Sequence, residues 1–329
     1  MAIPSVALAY RRSALMTATK VTAKAPSEEV LKARDDFKDF CTVMGKAPAR
    51  HMLEWHRQLC TGEDSECLLG VGGPNTAILA PRGSAKSTVL GLFAAWMIGR
   101  HAAAKKMLRI LYIAYMVDIS RAKSATIKGI LTSPKYREIF PMVRLSKIKR
   151  SDEYWSIDYE FAGIDTAGEE AFTIACGGLK GAITSKRSQL VLIDDPIKSA
   201  ASINNPDIRR EMEQTWSNVI APTMFQGARA ICLGTRFHFD DIHATLFIPK
   251  NNWKQIIQKA VITSADGKQR SYWPEFWSMK YLNERKSEDR VAFAYQYMNT
   301  AVQSSDVGIS TDLIVHGKVP DDYDCLGVG

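Results

Sequence analysis

The chain is 329 residues long, 24% charged and 46% hydrophobic, with a formal net charge of +8. That length accommodates one large domain or two smaller ones, and the moderate excess of positive charge suits a phosphate-rich partner. No apolar run reaches membrane-spanning length, and six cysteines without CxxC spacing read as reduced thiols, neither a disulfide framework nor a zinc site.

Residues 1–27 hold arginines, lysines, serines and alanines with no acid before Glu28, superficially like a mitochondrial transit peptide. Ser27 to Cys41 reads as a helix with Ser27 as its N-cap, and His51 to Leu59 as a second helix carrying Trp55, His56, Arg57 and Gln58. The turn residues Gly72, Gly73 and Pro74 precede a short apolar strand, Asn75 to Ala80. Val89 to Ile98 is apolar almost all round, as suits a helix buried in a large domain. Leu108 to Tyr115 is the next strand, and Asp118 is expected to cap a helix running to Leu131. Tyr154 to Phe161 alternates as an edge or antiparallel strand does, and Gln189 to Asp195 and Ala228 to Arg236 are further strands. From Trp277 to Ala301 the pattern is helical, and residues 302–322 are a polar linker. Strands alternating with helices predict an α/β fold, a mainly parallel central sheet with helices on both faces.

The stretch Ala80-Pro-Arg-Gly-Ser-Ala-Lys-Ser-Thr88 lies between the first strand and its helix. Lys86 and Ser87 occupy the last two positions of the phosphate-loop pattern G-x-x-x-x-G-K-[ST], but Ala80 and Ala85 replace both pattern glycines. Backbone N–H groups cradle phosphates whether or not each residue is glycine, and Gly83 still permits a sharp turn. In this reading Arg82, Gly83, Ser84, Ala85, Lys86, Ser87 and Thr88 form the cradle. Lys86 bridges the outer phosphates of ATP, and the Ser87 hydroxyl holds Mg²⁺. A Gly/Ser turn that happens to precede a lysine is the plainer alternative.

The run Gln189-Leu-Val-Leu-Ile-Asp-Asp195 has the Walker B form, a buried strand whose carboxyl end delivers acids into a ligand crevice. Asp194 is the expected Mg²⁺ acid and Asp195 the water-polarising one. A third strand ends in Gly234-Thr235-Arg236, where a hydroxyl can sense the γ-phosphate and pass its loss to a neighbouring element. His238, Asp240, Asp241 and His243 follow, without ordinary zinc spacing. The best local basic clusters are Lys147, Lys149 and Arg150, and Lys180, Lys186 and Arg187. For either one a solvated surface is at least as good a reading.

These motifs together resemble the ATPase part of a large terminase subunit, the DNA-packaging motor of tailed bacteriophages. The likeness lies in the deviant loop at 80–88 and the glycine-rich approach to Walker B (177–198). It extends to the segment Leu233-Gly-Thr-Arg-Phe-His-Phe-Asp-Asp-Ile-His243, to Tyr272-Trp-Pro-Glu275, and to Phe293 through Thr300, all in the family's order from about residue 48 to 305. The resemblance implies a P-loop NTPase of the ASCE type that hydrolyses ATP·Mg²⁺ and translocates double-stranded DNA into a procapsid. Its implied partners are the portal protein, the small terminase subunit and further copies of itself in a ring, a pentamer in the family. It implies the host cell cytoplasm, with transient attachment to the procapsid.

On this basis residues 1–27 are expected to be a flexible basic arm, 28–260 the ATPase core, and 261–301 a small helical lid. Residues 302–329 would lead toward an RNase H-like nuclease that this chain lacks, so nuclease activity is not expected. Gly234, Thr235 and Arg236 would couple hydrolysis to movement, and Arg82 would reach the γ-phosphate in cis. Arg121, Arg137 and Arg144 are candidates for an arginine supplied to a neighbouring subunit. Trp55 and Gln58 occupy the position of an adenine-contacting segment, though an amphipathic packing helix fits them equally. Two departures stand out: Asp195 where the family commonly has glutamate, and no glycine before Lys86. A helicase of the same ATPase division, and a DNA-binding or scaffold protein with a decayed nucleotide site, remain alternatives.

Overall fold

The computed structural model describes residues 26–60, 73–180, 186–247 and 253–300. In chain order the elements begin with α1 (Glu28–Asp35), α2 (Phe37–Val43), α3 (Leu53–Leu59), β1 (Thr76–Leu79) and α4 (Lys86–Ala103). There follow β2 (Ile110–Ala114), α5 (Val117–Thr132), α6 (Pro134–Ile139), β3 (Leu145–Arg150), β4 (Tyr154–Ile157), β5 (Ile174–Gly178) and β6 (Ser188–Asp194). The chain continues through α7 (Pro206–Thr215), β7 (Met224–Gly234), β8 (Lys254–Ile257), β9 (Val261–Thr263), β10 (Gln269–Ser271), α8 (Met279–Glu288) and α9 (Arg290–Gln296).

Eight strands form one sheet in the order β3-β4-β5-β2-β6-β7-β1-β8. The six from β5 to β8 run parallel, and β4 and β3 are added antiparallel at one end. Alternate residues of each buried strand serve opposite faces. Leu190 and Leu192 of β6 join Ile78, Phe93 and Ile110 in the core beneath α1–α6. Val191 and Ile193 join Leu111, Cys232 and Trp216 on the other face. The predicted α/β fold is the observed one.

Several local expectations change. The helix expected over Ser27 to Cys41 is capped by Ser27 but breaks at Asp36, an extended residue whose carboxylate accepts the Asp39 N–H at 2.8 Å and so starts α2. Asp118 is not a cap: Met116 holds that position, and Asp118 sits in the first turn paired with Arg121 at 2.8 Å. The antiparallel strand expected to reach Phe161 ends at Ile157. β5 hides in the glycine-rich segment, where a side chain on Gly178 would lie 2.7 Å from the Val117 nitrogen. The region 261–301 is not purely helical, because the antiparallel pair β9–β10 packs with α8 and α9 around its own cluster of Tyr272, Trp277, Leu282 and Phe293. The readings of 1–25, 61–72 and 301–329 fall outside the described residues.

A buried cation binds the upstream helix to the sheet. Arg229 of β7 is 0% exposed and donates to the Leu59 carbonyl at 2.8 Å, the Gln58 carbonyl at 2.8 Å, the Pro74 carbonyl at 2.9 Å and the Thr76 hydroxyl at 2.9 Å. One guanidinium thereby satisfies the end of α3 and the start of β1 together. Arg229→Met is expected to remove these charge-assisted bonds and lower stability by about 3 kcal/mol or more, read as a lower urea midpoint. A loss below about 1 kcal/mol would show that the bonds add little beyond packing.

Candidate nucleotide-binding site

The parallel strands β1, β6 and β7 point their carboxyl ends to one side of the sheet. In register, Leu79 lies opposite Gly234, and Asp194 opposite Leu233. One strand, β7, therefore separates the loop strand from the acid strand. After β1 the chain turns back through residues 80–85 and enters α4 at Lys86, so the first-turn amides of an 18-residue helix face the crevice. The turn needs two left-handed residues: Gly83 at φ +85° and Ala85 at φ 60°. Gly83 also needs to lack a side chain, since a Cβ there would lie 3.0 Å from the Trp277 ring. Ala85 adopts a glycine conformation at a penalty of roughly 1–2 kcal/mol. The pattern's backbone geometry thus survives the loss of its glycine.

The Lys86 amine is buried and donates to the Thr235 hydroxyl at 2.8 Å and to the Ala80 and Pro81 carbonyls at 3.2 Å each. Burial pushes its pKa down, and the charges of Asp195 and Asp194 oppose that shift. Its nearest carboxylate oxygen is Asp195 Oδ1, at 3.7 Å. Asp195 itself is left-handed at φ 42°, with its N–H donating to the Leu233 carbonyl at 2.8 Å. Its side chain is 45% exposed, but Oδ1, the oxygen beside Lys86, is itself buried and lacks a hydrogen-bond partner.

Asp194 is held from two directions. Ser87 Oγ donates to Oδ1 at 2.8 Å, and the Tyr112 hydroxyl donates to Oδ2 at 3.0 Å. Burial raises the Asp194 pKa, as does the charge of Asp195, while the Ser87 bond, Lys123 and the Tyr112 bond pull it back. A hydroxyl and a carboxylate at a helix N-terminus are the oxygen donors that a magnesium ion takes, so these residues fit that ion.

The third strand end divides its roles. Gly234 backs onto His243, whose ring would lie 2.5 Å from a Cβ at that position. Thr235 reaches Lys86 and also donates to the Ala80 carbonyl at 3.2 Å. Arg236 turns away into its own loop, paired with buried Asp241 at 3.0 Å and donating to the His238 and Phe239 carbonyls at 3.1 Å. Its backbone N–H donates to Asn299 Oδ1 at 3.1 Å, which ties the strand end to the C-terminal subdomain.

Other predicted residues lie elsewhere. Arg82 is exposed, with its guanidinium donating to Gln296 Oε1 at 3.2 Å and its N–H to the Gln296 carbonyl at 2.9 Å, so it rests on the end of α9 and not in the crevice. The reading of Trp55 as an adenine contact is corrected: its ring is 0% exposed in the core and offers no face to a purine. The Gln58 amide donates to Glu54 at 3.1 Å. A cavity of 590 Å³ is lined by Arg50, His51, Gln258, Arg270 and Tyr272, among others. Burial drives the His51 pKa down to about 4, so its ring is neutral at pH 7.

The fold is α/β, with the loop between β1 and α4 facing the ends of β6 and β7. No family model matches the chain, and no curated protein sequence does. Among solved structures it is similar to the ATPase domain of the Thermus phage P74-26 large terminase, at 15% identity and TM-score 0.48, covering 80% of this chain and 98% of that one. It is also similar to a large terminase of a thermophilic bacteriophage in complex with ATP-γ-S, at 10% identity and TM-score 0.45, covering 84% of this chain and 53% of that one. The HK97 bacteriophage large terminase gives 14% identity and TM-score 0.40, covering 73% and 51%. The chain thus spans about half the length of the two larger proteins.

Tyr112 is the site residue that sequence reasoning missed. Its signal was a tyrosine in an otherwise aliphatic buried strand, since a buried hydroxyl needs a partner. Tyr112→Phe is expected to raise the magnesium concentration for half-maximal binding of a fluorescent ATP analogue by on the order of tenfold, and to leave binding in EDTA unchanged. Because the tyrosine bond favours the carboxylate, its loss also makes the magnesium dependence fail at higher pH than in the wild type. An unaltered magnesium requirement would remove Tyr112 from the site.

Proposed function

We propose that the chain is an ATP-hydrolysing motor subunit of a phage terminase that moves double-stranded DNA into a procapsid. One observation carries the ATPase reading: the Lys86 amine, the Ser87–Asp194 pair, the half-exposed Asp195 and the Thr235 hydroxyl converge at the ends of three adjacent parallel strands. The motif order from residue 80 to 300 supports the packaging reading beside it.

Loop amides and Lys86 bind the outer phosphates. The amine is positioned by the carbonyls of its own loop and by Thr235. Ser87 and Asp194 would hold Mg²⁺, which supplies neutralisation of charge on the transferred phosphoryl group. Asp195 faces solvent across from Lys86, where a carboxylate orients a water and accepts its proton as the water oxygen bonds to the γ-phosphorus and the bond to the β-phosphate oxygen breaks. Thr235 touches Lys86 on one side, and its neighbour Arg236 is bonded to Asn299 on the other. Phosphate loss therefore has a route to the C-terminal subdomain.

The portal protein, a small terminase subunit and a ring of identical subunits complete the proposal. A neighbour's arginine would finish each site. Of the three candidates, Arg121 is held by Glu153 and Asp118, while Arg137 and Arg144 are exposed.

Lys86→Ala is expected to abolish phosphate release in a duplex-stimulated ATPase assay, and wild-type-like turnover in that variant contradicts the loop assignment. For Asp195→Asn the expectation is retained nucleotide affinity with turnover lowered by at least about a hundredfold. Unchanged kcat moves the catalytic acid elsewhere.

A further inference from the structure

The positive charge of this chain is concentrated. Residues 117–150 hold nine lysines and arginines against two acids, a surplus of seven where the whole chain has eight. The fold packs that segment together, since α5 touches both α6 and β3. Among the described residues β3 is the outermost strand of the sheet and pairs with β4 alone, leaving its outer edge uncovered by them.

Ion pairing separates two groups of cations. Arg121 is paired with Glu153 and Asp118, and Lys128 with Asp152. Among the described residues, Arg144, Lys147, Lys149 and Arg150 enter no ion pair. The Lys149 ammonium donates to the Ala171 carbonyl and lies over the Tyr154 ring, turned toward Glu170, while the Arg150 Nε–H donates to the Ser146 carbonyl and the Arg144 guanidinium lies over Phe161. Lys147 and Arg150 are exposed, and Ile148 between them is 91% exposed. The other basic cluster differs, because Lys186 is paired with Glu170.

We propose that the outer edge of β3, through Lys147 and Arg150 with Arg144 just before the strand, contacts the phosphate backbone of duplex DNA. Cations without ion pairs along one strand edge suit a repeating anionic surface, and nothing in the patch reads a base edge. The contact is accordingly independent of DNA sequence and governed by counterion release. The choice of DNA as the anion rests on the proposed motor function; the unpaired basic edge does not. Lysines on an edge strand also deter pairing with other strands, so the test has to separate the two roles.

The experiment uses the full chain and a 30-base-pair duplex of arbitrary sequence, with affinity measured by fluorescence anisotropy from 50 to 300 mM salt. The variant is Lys147→Gln with Arg150→Gln, which keeps the Lys149 bond. A control removes the same charge from the C-terminal subdomain, Lys280→Gln with Lys286→Gln. The expected result is an affinity for duplex lowered on the order of tenfold in the first variant. Its salt slope is expected to be shallower by about 0.9 per lost contact, with no change in the control. Melting temperature and binding of Mg²⁺·ATP stay as in the wild type. Equal slopes in wild type and variant overturn the proposal, as does an equal fall in the control, and self-association of the variant with intact DNA binding assigns these cations to edge protection. If the wild type binds Mg²⁺·ATP but no duplex, this inference fails while the nucleotide site stands.

Discussion

A hydrogen bond of 2.8 Å from Ser87 to Asp194 joins the first turn of the long central helix to the end of the acid strand. For the two to meet, α4 must start at Lys86, β7 must lie between β1 and β6, and β6 must run to its seventh residue in register. A slip of one residue on β6 would turn Asp194 to the other face and bury a carboxylate among Trp216 and Cys232. Register in a sheet buried on both faces is strongly specified by its apolar side chains, so the core fixes the polar pair and the pair fixes the crevice.

The loop departs from glycine yet keeps the shape that glycine normally supplies. Ala85 sits at φ 60°, and contacts on both sides oppose its relaxation. Lys86 is bonded to two loop carbonyls, Arg82 is bonded to the end of α9, and Trp277 closes over Gly83. The C-terminal subdomain is thus a wall of the loop. The same subdomain meets the third strand end through Asn299, so the loop and that strand end share one neighbour.

Much of this was legible in the sequence because it is local. The loop, the strand-end acids and Gly234-Thr235 are contiguous strings whose chemistry follows from their order, and alternation of strands and helices gave the layered sheet. What escaped depends on contacts between distant segments. Tyr112 reads as one more apolar strand residue until β2 is set beside β6, and the partners of Arg229 lie on α3 and β1, more than 150 residues away in the chain. β5 was hidden by glycines that serve a close approach to α5, and β3 by a polar sequence that suits an unburied edge. Trp55 misled for the opposite reason, since a position in the chain says nothing about which way a ring faces.

In the proposed site the turn at 80–87 and the acid at 194 grip one magnesium-bound triphosphate. That grip is tested most directly by a crystal structure with Mg²⁺ and a non-hydrolysable ATP analogue. The expected result is the Lys86 amine against the outer phosphates, with Ser87 and Asp194 holding the metal. A nucleotide bound elsewhere, with Lys86 still on Thr235 and Ser87 still on Asp194 alone, would contradict it.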